Sequence, residues 1–267
     1  MYQAYFGLRD LPYRNTPDPR YMVLLPQYEQ AVAMIQYAAE EREVVALFGD
    51  IGVGKTTVVR TAIQQLDEQP VEAVALIYPR ITPYQLLALI ADAIGAPVHR
   101  SRHHLMNSIA HTLVDLHQQG RSVLVVIDEA HLIPGKPVFE EIRFLSNLQL
   151  DAANLLGIVL VAQPELERRL YRRVYASFRQ RIGMVQRLQP LRADEIETYL
   201  RQRWETAGGT WPGPFQPDGI RRIAELSRGI PRVINQLAHL ALLEAFARDR
   251  TRIDATLVDS VRDAILL

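Results

Sequence analysis

The chain contains no cysteine, which excludes disulfides and thiolate-held metals and fits a cytosolic protein. Lysine is nearly as scarce, with Lys55 and Lys136 the only two among 30 basic residues. No apolar run reaches the roughly 18 residues that a membrane span needs, so none is expected. The opening Met1-Tyr2-Gln3-Ala4-Tyr5-Phe6 lacks the basic start and long apolar stretch of a secretory leader. An excess of one charge is missing too. Thirty Asp and Glu balance thirty Lys and Arg, so bulk charge points to neither nucleic acid nor a membrane surface. Internal repeats and low-complexity segments are also absent. What remains is a 267-residue, 48% hydrophobic chain, long enough for one large domain or two modest ones.

Against that background one of the two lysines stands out. Gly49-Asp50-Ile51-Gly52-Val53-Gly54-Lys55-Thr56 matches the phosphate-loop pattern G-x-x-x-x-G-K-[ST] at every fixed position. Its context fits as well. The apolar run Val44-Val45-Ala46-Leu47-Phe48 before it reads as a buried strand, and Thr57-Val58-Val59-Arg60-Thr61-Ala62-Ile63 after it reads as a helix start. Glycines let the backbone wrap closely and turn several N–H groups inward, and the helix N-terminus adds its positive dipole end. Lys55 is expected to reach the β- and γ-phosphates of ATP, and the Thr56 hydroxyl to ligate Mg²⁺.

A second signal is Ser122-Val123-Leu124-Val125-Val126-Ile127 followed by Asp128-Glu129-Ala130-His131. An uninterrupted apolar strand belongs in a parallel sheet covered on both faces. Carboxylates at its end fall at the rim where open α/β sheets bind ligands. Asp128 is expected to hold Mg²⁺ through water, and Glu129 to polarise an attacking water.

Strand and helix patterns alternate through the first part of the chain. Residues 27–41 read as a helix, Val71–Tyr78 as a strand, Pro83–Ile94 and Leu105–His117 as helices, Pro137–Leu148 as a helix, and Leu155–Ala162 as a strand ending at Gln163. Such alternation predicts a doubly wound α/β layer with a parallel sheet. From Ala193 onward no strand-like run occurs. Four helical segments follow, near 193–207, 217–227, 231–248 and 254–266, separated by glycine- and proline-bearing breaks such as Gly229-Ile230-Pro231. The expected domains are therefore 1–190, α/β, and 191–267, all helical.

These motifs together resemble the AAA+ ATPases, and more closely the secretion and pilus accessory ATPases of the ExeA/GspA type. The resemblance spans nearly the whole chain. It includes Tyr5-Phe6-Gly7-Leu8, Thr16-Pro17-Asp18-Pro19-Arg20-Tyr21, the phosphate loop, Ile127-Asp128-Glu129-Ala130-His131, Arg143-Phe144-Leu145-Ser146-Asn147-Leu148, Val161-Ala162-Gln163-Pro164-Glu165-Leu166, Gln180-Arg181-Ile182 and Gly229-Ile230-Pro231-Arg232. The same module occurs in TnsC-like regulators of DNA transposition. The resemblance implies a P-loop AAA+ parallel-sheet ATPase domain followed by a small helical lid, with Thr57 completing the nucleotide-binding loop. It implies that Gln163 is the sensor-1 residue near the γ-phosphate, and that Arg232 is the sensor-2 arginine coupling nucleotide state to the lid. It also implies that Arg179 or Arg181 is an arginine finger acting on a neighbouring subunit, and that the Thr16–Tyr21 segment folds over the adenine.

Two functions follow from the resemblance. One is an accessory ATPase of a secretion or type IV pilus machine. The other is a transposition regulator that forms rings or filaments with ATP, binds duplex DNA and recruits a transposase. The second is the expected one, because the chain ends with the lid at Leu267. It is also expected because Arg168, Arg169, Arg172, Arg173, Arg179, Arg181, Arg187 and Arg192 occur with no acidic residue between Arg168 and Ala193. That cluster suits either phosphate contacts or pairing between subunits.

Overall fold

The computed structural model describes residues 2–67, 69–77, 80–151 and 153–265. In chain order its helices are α1 (Tyr2–Tyr5), α2 (Pro26–Glu40), α3 (Lys55–Leu66), α4 (Pro83–Ala93), α5 (Arg102–Gln118), α6 (Lys136–Leu145), α7 (Pro164–Leu170), α8 (Ala176–Arg179), α9 (Ala193–Thr206), α10 (Pro217–Ser227), α11 (Pro231–Ala247) and α12 (Ala255–Arg262). The strands are β1 (Val44–Gly49), β2 (Val71–Leu76), β3 (Ser122–Ile127), β4 (Gln149–Leu150), β5 (Ala153–Asn154), β6 (Leu156–Ala162) and β7 (Ile182–Leu188). The chain forms two compact units. One comprises Glu29–Asp50 and Val58–Leu188; the other comprises the described residues of Met1–Tyr28, Ile51–Thr57 and Gln189–Leu267.

The first unit is built on a five-stranded sheet in the order β2-β3-β6-β1-β7, with every pairing parallel. The three central strands are buried along nearly their whole length, which is why their sequences read as unbroken apolar runs. The expected α/β class is thus present. The last residue of the expected strand Val71–Tyr78 lies outside the described residues; the observed strand ends at Leu76. Edge strand β7 is not foreshadowed in the sequence reading. Its burial alternates residue by residue, and Gly183, Gln186 and Arg187 dilute its apolar content.

Close packing in this unit rests on one glycine. Gly157 lies on β6 where α2 passes over it, and a Cβ there would overlap the Ala38 carbonyl group. Backbone cannot yield as a flexible side chain can. Gly157→Ala is expected to cost about 3 kcal/mol or more. Its thermal midpoint should fall by roughly 6–12 °C in calorimetry, whereas Gly120→Ala should lose less, since nothing lies within 4 Å of a Cβ there and only the left-handed backbone at φ +73° resists the side chain.

In the second unit, helices α9 to α12 pack around Trp204, Phe215, Leu200, Ile223, Ile234 and Leu237. The N-terminal segment joins this core. Arg203 is 6% exposed and donates to the backbone carbonyls of Pro12, Arg14 and Tyr21, at 2.8, 3.1 and 3.2 Å. Tyr13, 2% exposed, donates to the Leu200 carbonyl at 2.9 Å. A buried guanidinium is tolerable here because backbone oxygens satisfy it.

Candidate functional site

Strand register brings three strand ends to one edge of the first unit. Phe48 of β1 pairs with Ala162 of β6, so Gln163 stands level with Gly49. Ile127 of β3 pairs with Leu160, and the Asp128 amide continues the sheet by donating to the Leu76 carbonyl at 2.9 Å. Gly49, Asp128 and Gln163 therefore sit at the carboxyl ends of three adjacent strands, the rim where open α/β sheets hold ligands.

The turn after β3 is sharply shaped. Glu129 adopts the left-handed conformation (φ 52°, ψ 36°), uncommon for a residue with a side chain. Its amide donates to the Asp128 carboxylate at 2.8 Å, which fixes that carboxylate against its own backbone. Ala130–Leu132 then form a single 3₁₀ turn. Arg169 of α7 braces its far end by donating to the Ile133 carbonyl at 2.9 Å. The guanidinium carbon of Arg169 lies 5.2 Å from the Phe139 ring centre, and burial lowers its pKa from the usual arginine value. The brace was invisible in the sequence, where Arg169 reads as one more member of a basic run.

The glycine-rich loop follows Gly49. Asp50 and Ile51 are exposed, Val53 is fully buried, and Lys55, 8% exposed, opens α3 together with Thr56 and Thr57. Gly52 and Gly54 have φ of +83° and +103°, which side-chain-bearing residues rarely adopt. The Tyr28 hydroxyl donates to the Val53 carbonyl at 3.0 Å, and burial pushes that phenol well above its usual pKa. Sequence reasoning gave Tyr28 no part in this.

Arg232 stands on the same loop. Its amide donates to the Gly52 carbonyl at 3.2 Å, and a Cβ at Gly52 would come within 2.9 Å of Arg232 Cβ. The local sequence explains the approach. Arg228 caps α10 in the left-handed conformation, Gly229 follows at φ +76°, and Pro231 starts α11. Gly229 also accepts from the Leu191 amide at 2.7 Å, and any side chain there would strike the Leu191 backbone. The Arg232 side chain is exposed.

The two finger candidates differ. Arg179 donates to the Leu170 carbonyl at 3.1 Å and lies 5.2 Å from the Tyr171 ring centre. Arg181 is exposed and makes no ion pair among the described residues. The basic stretch is also less positive in space than along the chain. Arg168 pairs with Glu165, Arg187 with Glu167, and Arg192 with Asp194 and Glu195. Of the remaining members, Arg172 and Arg173 are exposed, like Arg181. Thr16 and Pro17 line a cavity of about 880 Å³ together with Tyr13, Gln236 and His239, all within the second unit.

A parallel sheet with a glycine-rich loop at one strand end and an Asp-Glu pair two strands away defines a P-loop nucleotide-binding protein. The comparisons agree. Residues 38–170 match the family described as AAA domain. General secretion pathway protein A of Aeromonas hydrophila is 36% identical over 265 residues, which are 95% of this chain and 46% of that protein. The chain thus spans about half the length of that curated relative. Among solved structures, Aeropyrum pernix ORC1 in complex with DNA aligns with a TM-score of 0.67 at 22% identity, covering 91% of this chain and 66% of the other. Aeropyrum pernix ORC2, in its ADPNP-ADP complexes, gives 0.65 at 20%, covering 91% and 69%. The Thermotoga maritima RuvB Holliday junction branch migration motor gives 0.62 at 17%, covering 91% and 70%. Residues 38–170 thus carry an AAA domain, and the chain has the P-loop AAA+ fold. Among the described residues no helix is long and apolar enough to cross a membrane.

Proposed function

We propose that this chain binds and hydrolyses ATP as the motor module of an accessory machine of the GspA type, serving secretion or pilus assembly. The observation that carries the reading is the likeness to the secretion protein over 95% of the chain, the phosphate loop and the Asp128-Glu129 turn included. In this reading the loop Gly49, Asp50, Ile51, Gly52, Val53, Gly54, Lys55, Thr56 and Thr57 wraps the phosphates with its N–H groups. Lys55 then supplies the point charge. Gln163 senses the γ-phosphate, Glu129 takes the proton of the attacking water, and Arg232 reads nucleotide state through its seat on Gly52. Arg181, rather than the tethered Arg179, reaches a neighbouring subunit.

Magnesium fits the donors present. Among the described residues no group of three or more His, Asp or Glu could hold a metal unaided. Mg²⁺ usually binds through one or two protein oxygens together with substrate phosphates, and Thr56 and Asp128 are candidates for those oxygens. When bound, the ion would neutralise charge developing on the phosphates.

Purified protein should release phosphate from ATP with Mg²⁺ present and lose that activity with EDTA. Lys55→Ala should bind ATP about 10–100-fold more weakly, the cost of one charge-assisted contact. Phosphate release unaffected by Lys55→Ala would exclude this site.

The TnsC-like alternative draws on the exposed Arg172, Arg173 and Arg181, a surface able to touch DNA phosphates. It is the weaker reading, because Arg168, Arg187 and Arg192 are already paired with carboxylates. Adding duplex DNA to the same assay separates the two. Stimulation that fades as salt rises supports the DNA reading, and no stimulation supports the secretion or pilus reading.

A further inference from the structure

His131 has no part in the scheme above, yet it sits between two groups that do. Its side chain is 14% exposed, on the 3₁₀ turn that follows Glu129. Its Nε2 lies 2.9 Å from Nε2 of Gln163. Its Nδ1 is buried, makes no hydrogen bond, and faces Oε2 of Glu129 at 3.3 Å, within ion-pair reach.

The chemistry of the three groups fixes the proton. An amide nitrogen only donates, so Nε2 of His131 accepts from Gln163. A neutral imidazole then carries its proton on Nδ1, the nitrogen 3.3 Å from the Glu129 carboxylate, which it meets electrostatically and not through a hydrogen bond. The reversed amide would put the proton on Nε2 and leave the Nδ1 lone pair 3.3 Å from an anion, which is electrostatically unfavourable. The Glu129 carboxylate thereby selects the tautomer that lets Gln163 donate.

We propose that His131 is a positioning residue that links Gln163 to Glu129, passing a shift of the Gln163 amide to the carboxylate. The inference rests on the roles assigned to those two residues above. The backbone beneath the link is held. Leu132 donates to the Glu129 carbonyl at 2.8 Å, and Arg169 ties down Ile133 at 2.9 Å. The Glu129 side chain, 41% exposed, has room to swing. Motion is therefore confined to side chains. When Gln163 turns its amide toward a γ-phosphate, His131 loses its Nε2 partner and its hold on Glu129 changes. Sensing and water activation become one event.

Kinetics of variants test the link. His131→Phe keeps ring volume but removes both nitrogens. It should lower kcat about tenfold, part of what a positioned base contributes, while KM for ATP stays within about twofold. His131→Asn keeps a donor near Nδ1 and loses the reach to Gln163, so it should also lower kcat. Adding Gln163→Ala to His131→Phe should cost little more than the worse single change, because one link is broken twice. Wild-type kcat in His131→Phe, in His131→Asn should the Phe variant not fold, or full additivity in the double variant, overturns the inference. Glu129→Gln run alongside separates the two failures. If that variant retains turnover, the general-base role given to Glu129 falls and the link falls with it; if it loses turnover while the His131 variants keep theirs, only the link falls.

Discussion

Glu129→Gln should release phosphate from ATP about 10²–10⁴-fold more slowly than the natural chain, with ATP affinity within about threefold. The expectation comes from what the substitution leaves alone. Glutamine has nearly the same shape, so the left-handed turn at φ 52° is kept. The Asp128 carboxylate keeps its hydrogen bond, because the donor is the backbone amide at position 129. Neither the phosphate loop nor Lys55 is touched. What changes is basicity, since an amide cannot accept the proton of an attacking water. Binding and turnover should therefore separate, with phosphate release measured by a coupled assay and affinity by a fluorescent nucleotide. Lys55→Ala supplies the contrast, since there affinity itself should fall. Phosphate release by the Glu129→Gln protein at the natural rate would show that the turn after β3 does not carry the general base.

Parts of this site were legible in the sequence because their physics is local. β1, β3 and β6 are covered on both faces, so each appears as an apolar run with its functional residue at the end: Gly49, Asp128 or Gln163. Gly229-Ile230-Pro231 announced a helix end and a helix start because a left-handed glycine and an N1 proline do so anywhere. What stayed hidden depends on distant partners. β7 is an edge strand whose alternating pattern carries Gly183 and Arg187, and it becomes a strand through pairing with β1. Arg203 looks like a surface helix residue until Pro12, Arg14 and Tyr21 are found around it, over 180 positions away. The basic stretch looked free of acids because Glu165 and Glu167 precede it and Asp194 follows it. Helix α7 and the packing beside it bring Glu165 and Glu167 back onto Arg168 and Arg187, and Asp194 pairs with Arg192. The His131–Gln163 contact likewise follows from β3 lying beside β6, which spacing along the chain does not reveal.

In the proposed reading, the same distinction between tethered and exposed groups favours Arg181 over Arg179 as the finger. A guanidinium that must reach a phosphate on another molecule is better placed when it is exposed and free to extend. Arg179 is held: its Nη1 donates to the Leu170 carbonyl at 3.1 Å and its guanidinium lies against the Tyr171 ring. Arg181, two residues on, is exposed and makes no ion pair among the described residues. Arg181→Ala is therefore expected to lower turnover about 10³-fold, the lower end of what an arginine finger supplies, and to leave nucleotide affinity nearly unchanged. Arg179→Ala should act mainly by lowering the thermal midpoint. A finger given in trans also implies head-to-tail contact, since each subunit donates one surface and receives another. Mixing can detect this. Neither Arg181→Ala nor Lys55→Ala protein alone should hydrolyse ATP well. In a mixed assembly, some interfaces pair an intact loop from the Arg181→Ala chain with an intact arginine from the Lys55→Ala chain. Those sites should work, so the mixture should exceed the sum of its parts. Sizing with a non-hydrolysable ATP analogue should show the same chains moving into assemblies. If the mixture shows no recovery, and the natural chain hydrolyses ATP at full rate as a strict monomer, Arg181 acts within its own chain or not at all.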